Sequence, residues 1–140
     1  MNNVSINDSE FKSTDEYANF MSSNPAIGFL KIRAYAANQA VPISNLNVVV
    51  SKKIGNNNVV FFEGVTDESG TIEKISLPTQ RLNLDNMDVP KSTSYDIVTT
   101  YNSDNVTNIY KVNIYENIFV IQNINVVPNM SFEERNIWWL

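Results

Sequence analysis

Between Gly28 and Tyr35 the hydropathy alternates with a period of two. Leu30, Ile32 and Ala34 point one way, while Phe29, Lys31, Arg33 and Tyr35 point the other. Only an extended strand sends successive side chains to opposite faces, so this run is a half-buried strand whose outer face carries long side chains. The same period returns in Leu46, Val48 and Val50 against Asn47, Val49 and Ser51, and with the preceding Val41-Pro42-Ile43 this makes a second strand. Val59–Val65 and Thr71–Pro78 are rich in β-branched residues, are separated by the polar corner Asp67-Glu68-Ser69-Gly70, and together predict a hairpin. Gly55-Asn56-Asn57-Asn58 supplies the turn that precedes it, since Gly and Asn tolerate positive φ.

Beyond Pro78 the chain reads as a long surface loop over Thr79–Ser94. Three more strands follow, at Tyr95–Tyr101, Ile109–Ile114 and Ile118–Val127. Pro128 closes the sheet because it has no amide to give to a ladder. Short strands punctuated by turn residues predict an all-β fold: a seven-stranded, Greek-key-like β-sandwich with a short N-terminal helix and an aromatic C-terminal tail. The expected division is an arm with the helix over 1–27, the sandwich over 28–130, and the tail over 131–140.

The two extensions differ in kind from the sandwich. Residues 1–12 are polar and without period, and Ser13-Thr14-Asp15-Glu16 then has capping-box spacing, with Ser13 as the expected cap. Tyr17, Phe20 and Met21 follow at i, i+3 and i+4 before Asn24-Pro25 stops the helix, which is expected over 14–21. A helix this short is unstable alone in water, so its apolar face must dock on its own sandwich or on a neighbouring subunit. At the other end Phe132, Ile137, Trp138, Trp139 and Leu140 gather both tryptophans of the chain into one short apolar stretch. Exposing apolar area costs about 25 cal/mol per Å², so this stretch should be covered.

Composition narrows the chemistry. The sequence holds no Cys and no His, which excludes thiol nucleophiles, redox pairs, Cys/His zinc sites and a histidine base. A net charge of -5 with only scattered basic pairs, Lys31/Arg33 and Lys52/Lys53, argues against nucleic acid as a partner. No stretch approaches the ~20 apolar residues that insertion into a membrane requires. The opening Met1–Asp8 has no basic or apolar segment that would make a signal peptide. The expectation is a soluble protein made in the cytoplasm, reaching any external site by lysis or a signal-independent route.

Three constellations could carry chemistry. Asp67, Glu68 and Glu73 supply the oxygens of a calcium corner, although hairpin turns have the same composition without a metal. Lys31, Glu63 and Asn123 or Asn125 are the residue types of a self-formed Lys–Asn isopeptide, as in pilin sandwiches, but strand parity puts Lys31 on the outer face beside Arg33. Tyr35, Tyr95, Tyr101, Tyr110 and Tyr115 are the material of a carbohydrate-stacking platform, or of cross-strand and core packing. No motif places Ser beside Lys for catalysis, so no enzyme and no cofactor are expected.

The ordered motifs Gly28-Phe29-Leu30-Lys31-Ile32, Val41-Pro42-Ile43, Val65-Thr66-Asp67-Glu68-Ser69-Gly70 and Ile75-Ser76-Leu77-Pro78 resemble the carboxypeptidase regulatory-like, or transthyretin-like, β-sandwich. The closing part, Tyr110–Pro128, resembles versions of that domain in Gram-positive spore-associated and phage-like proteins. Asn45-Leu46 stands where that family has Gly-Ala, which predicts a looser turn into the second strand. The resemblance implies a structural or accessory module rather than an enzyme. Combined with the apolar extensions, it leads to a non-enzymatic subunit of an extracellular, spore-surface or phage-tail-like assembly, with copies of itself or another structural protein as partner. Its expected contacts are Phe132, Ile137, Trp138, Trp139 and Leu140, with Tyr17, Phe20 and Met21 as a second set. The alternative is an accessory module that recognises cell-wall peptidoglycan or another glycan.

Overall fold

The computed structural model describes residues 11–12, 14–36, 40–82, 90–101 and 107–126. Among them are one helix, α1 (Asp15–Ser23), and eight strands: β1 (Ala26–Ala36), β2 (Val41–Pro42), β3 (Asn47–Ile54), β4 (Asn57–Val65), β5 (Thr71–Thr79), β6 (Thr93–Thr100), β7 (Thr107–Ile114) and β8 (Phe119–Asn125). The strands form two four-stranded sheets. In the first, β1 is antiparallel to β5, with Leu30 opposite Ile75, and parallel to β8, with Phe29 opposite Phe119 and Tyr35 opposite Asn125. The Ala34 N–H donates to Gly70 O at 2.7 Å and the Ala34 carbonyl accepts from Ile43 N at 3.0 Å. A strand residue sends both backbone groups toward one edge, so β2 continues the β5 side of β1 while β8 holds the other. The second sheet, in the order β4-β3-β6-β7, is antiparallel throughout.

The inward faces meet in one core. Leu30, Ile32, Ala34, Ile75, Leu77 and Ile124 from the first sheet cluster with Val48, Val50, Tyr95, Ile97, Val112 and Ile114 from the second. Each large aliphatic side chain buried here contributes about 1.5–3 kcal/mol relative to exposure, so the alternation in β1 is the energetic reason for the layering.

The strand count is eight rather than seven because the expected second strand is broken. Asn45 takes φ of 60°, and the chain passes there from the first sheet to the second. That turn is tied rather than loose: Thr66 Oγ1 accepts from Leu46 N at 3.0 Å and donates to Ile43 O at 2.7 Å. Asn stands at a left-handed position because it tolerates that conformation better than most residues.

The expected hairpin over Val59–Pro78 is also corrected. Both strands exist, but β4 pairs with β3 in the second sheet and β5 with β1 in the first. The real hairpin is β3–β4, closed at Gly55-Asn56 with Gly55 at φ of 60°. The Asp67–Gly70 corner crosses between the layers instead. Gly70 sits at φ of 76°, and a Cβ there would run into the Ala34 carbonyl and Ile43 N of the neighbouring chain. That backbone contact draws the chain away from β4 and onto the edge of β1.

The helix cap shifts by one residue. Thr14, not Ser13, caps α1, its Oγ1 accepting from Tyr17 N at 3.4 Å, and the helix runs to Ser23 rather than Met21; Ser13 lies outside the described residues. The far end is anchored by Asn24, whose Nδ2 donates to Phe20 O at 2.8 Å and whose Oδ1 accepts from the Thr93 hydroxyl of β6.

Within the corner, Asp67 Oδ1 accepts from Ser69 N at 2.9 Å and Thr71 N at 3.0 Å, and these bonds hold the Asp67 carboxyl below its ordinary value. A group depressed in the folded state stabilises it above the unfolded pKa, and that contribution is lost as pH falls. Asp67→Ala is therefore expected to lower the urea midpoint at pH 7, and the difference from the parent should shrink as pH drops below about 4.

Candidate interaction surface

The outer face of the first sheet is built from the odd-numbered residues of β1, their parallel partners on β8, and the outward residues of β5. Parallel in-register pairing puts Phe29 beside Phe119, Lys31 beside Ile121 and Arg33 beside Asn123. Ile27 lies beside Pro78 and Phe29 beside Ser76 on the other edge. The result is a face divided along its length. At the end where β1 and β8 begin it is apolar: Ile27, Phe119 and Ile121 are 50%, 54% and 52% exposed, and Ile118 adds to them. The Phe29 and Phe119 rings stack with centroids 4.8 Å apart. At the other end it carries Arg33, Tyr35, Asn123 and Asn125.

Cations flank the apolar half. Lys74 Nζ lies 4.7 Å from the centroid of the Phe29 ring, a cation–π arrangement that keeps the ammonium beside the aromatic pair. Lys31 Nζ pairs with Glu73 at 3.3 Å, and the Glu73 carboxyl is held below its ordinary value by the Thr71 hydroxyl and by Lys31. Next to Ile27 a cleft of about 410 Å³ opens between the end of α1 and the paired ends of β1 and β5, lined by Met21, Pro25, Leu77 and Pro78 among others.

Of the residues expected at an interface, Tyr17 and Phe20 are half-buried against the chain's own second sheet. The Phe11 and Tyr17 rings meet edge-on at 6.2 Å, and Phe20 lies 5.8 Å from Phe61, over Ile54 and Val59. Those two rings cover the molecule's own core; Met21 is the exposed member of the set and borders the cleft. Phe132, Ile137, Trp138, Trp139 and Leu140 lie outside the described residues.

The other constellations are dispersed. Lys31 belongs to the first sheet and Glu63, opposite Val49, to the second, so the isopeptide residues are not brought together. The Asp67 carboxylate is occupied by its own turn, and among the described residues no group of three or more acidic side chains is gathered to hold a metal. The tyrosines form no exposed platform: Tyr35 is on the first sheet, while Tyr95 is buried in the core and Tyr101 and Tyr110 pack against that core from the second sheet. Sequence reading missed Ile27, Ile118, Phe119 and Ile121 as surface residues. The signal was present in the unbroken apolar run Ile118-Phe119-Val120-Ile121, since a strand with one solvated face should alternate.

No protein-family model matches the chain. No curated protein matches it either. Among solved structures, the crystal structure of (S)-allantoin synthase is similar over 78% of this chain and 45% of that one, at 12% identity and a TM-score of 0.45. The chain thus spans less than half of that protein's length.

Tyr95 is the most perturbed of the tyrosines. Its hydroxyl donates to Pro78 O, joining the two sheets, and burial pushes its pKa well above the ordinary 10.0. A raised folded-state value means the unfolded chain releases this proton first, so stability is retained below about pH 10 and falls as pH rises beyond it. Alkaline titration followed at 295 nm should show a late tyrosine step that is absent in Tyr95→Phe. The lost hydrogen bond in that variant costs about 1 kcal/mol at neutral pH.

Proposed function

We propose that the chain is a non-enzymatic structural subunit that self-assembles through its extensions, as part of an extracellular, spore-surface or phage-tail-like structure. The observation that carries this reading is a mismatch on one molecule. An apolar half-face with Ile27, Phe119 and Ile121 is open to solvent, while both tryptophans stand in the sequence beyond β8. Monomeric proteins rarely leave contiguous apolar patches larger than a few hundred Å² uncovered. Aromatic anchors entering such patches carry most of the binding energy in protein interfaces.

The N-terminal helix has a different part in this reading. Its aromatic face closes the open side of the second sheet through Phe20 and Phe61, leaving Met21 as its contribution to an external contact. No helix among the described residues is long and apolar enough to cross a membrane. The dispersal of the tyrosines lends no support to a glycan platform.

Sedimentation of the purified chain should show species well above the 15.9 kDa of one copy. The double variant Trp138→Ala/Trp139→Ala should weaken that association at least about 30-fold, since a single anchor is worth ~2 kcal/mol or more. A parent chain that sediments only at the mass of one copy, at every concentration, would remove self-assembly as its function.

A further inference from the structure

The assembly reading leaves open which surface receives the aromatic segment, and the first sheet supplies an answer. We propose that residues 131–140 of a second copy dock on the apolar half of the outer face of the first sheet, across Ile27, Phe29, Ile118, Phe119 and Ile121. This rests on the assembly reading above and specifies its contact.

Three features of the surface agree. The first is composition: Phe132, Ile137, Trp138 and Trp139 supply apolar area, and the receiving half-face is apolar, with Phe119 and Ile121 more than half exposed. A cleft of about 410 Å³, bordered by Met21, Pro25 and Pro78, opens beside Ile27.

The second is charge. The chain carries a net charge of -5, yet this face holds Lys31, paired with Glu73, and Lys74 beside its apolar half and Arg33 toward its polar end. The segment carries Glu133-Glu134-Arg135 between Phe132 and Ile137, an acidic pair followed by one cation. The Glu133-Glu134 pair flanked by apolar anchors thus meets the ammonium groups of Lys31 and Lys74 beside an apolar patch. Such complementarity fixes orientation and partner choice more than it adds affinity.

The third is direction, and it suits a second copy. Because β8 runs parallel to β1, it begins at Phe119 beside Phe29 and ends at Asn125 beside Tyr35. The chain therefore leaves the sheet at the polar end, away from the apolar half. Folding back would carry the segment across Arg33, Asn123 and Asn125 on its own face. Continuing outward instead brings it to the apolar end of a copy placed head to tail. Trp138 lies within roughly 40 Å of Val126 when extended, enough to reach that end. A head-to-tail contact of this kind is heterologous and propagates instead of closing.

The test uses two full-length variants, each lacking one half of the contact. Phe119→Asp/Ile121→Asp alters the face and keeps the segment; Trp138→Ala/Trp139→Ala alters the segment and keeps the face. The substituted face residues are half-exposed, so the fold should survive, as checked by circular dichroism; Ile121→Lys alone serves if the double variant does not fold. Each variant by itself is expected to sediment as one copy of 15.9 kDa. Their equimolar mixture should form a dimer that grows no further, because the single intact segment meets the single intact face. Assembly of the face variant at parental strength would overturn this site while leaving the assembly reading intact. A mixture that stays monomeric, with both variants folded and the parent assembled, would also overturn it. A monomeric parent would remove the assembly reading and this site together.

Discussion

The pairing of β1 on both its edges is the constraint from which the rest of the molecule follows. It accepts β5 antiparallel on one side and β8 parallel on the other, so the chain must cross between layers to return to it. The parallel partner is recruited from the far end of the described chain, with Phe29 opposite Phe119. Such a contact pays its loop-closure entropy before it gains any pairing. What makes the return favourable is the inward row Leu30, Ile32, Ala34 and Ala36, fully or nearly fully buried under the second sheet.

The same pairing decides what faces outward. A parallel in-register ladder matches like levels of two strands, so apolar outer residues at the start of β1 meet apolar outer residues at the start of β8. Phe29 and Phe119 stack, Ile27 and Ile121 extend the patch along each strand, and Lys74 settles over the aromatic pair. The direction of β8 then carries the following chain to the opposite end of the sheet. The apolar patch and Val126, where the described chain ends, lie at opposite ends of the sheet.

Much of this architecture was legible in the sequence. The period-two row of β1 placed its core residues correctly, because burial on one face leaves a clean alternation; in β3 Val48 and Val50 are buried as read, but so is Ser51, read as outward, where a bulge against β4 breaks the period. The helix was legible from Tyr17, Phe20 and the stop at Asn24-Pro25. The separation of β4 and β5 into different sheets was not, because a strand–corner–strand pattern looks the same locally whether the corner reverses within a sheet or crosses to another. What decides is the Gly70 carbonyl meeting Ala34 N, a contact between residues far apart in sequence. The split of β2 from β3 was hidden for a similar reason. Asn45 stands where the resembled family has glycine, and it is Thr66, beyond the whole β3–β4 hairpin, that pins the chain there. The surface was half legible. The outward direction of Phe29 followed from parity, but its partner Phe119 depended on a register that no local pattern specifies.

Both tryptophans reside in the segment assigned to the contact, so their emission reports directly on whether the contact forms between copies. The most direct measurement is the emission maximum of the intact protein across a dilution series that spans assembled and dissociated chains. Docking on a second copy predicts a blue-shifted maximum at high concentration that moves to the red in step with the fall in sedimenting mass. A maximum that stays fixed while the assembly dissociates would contradict the account.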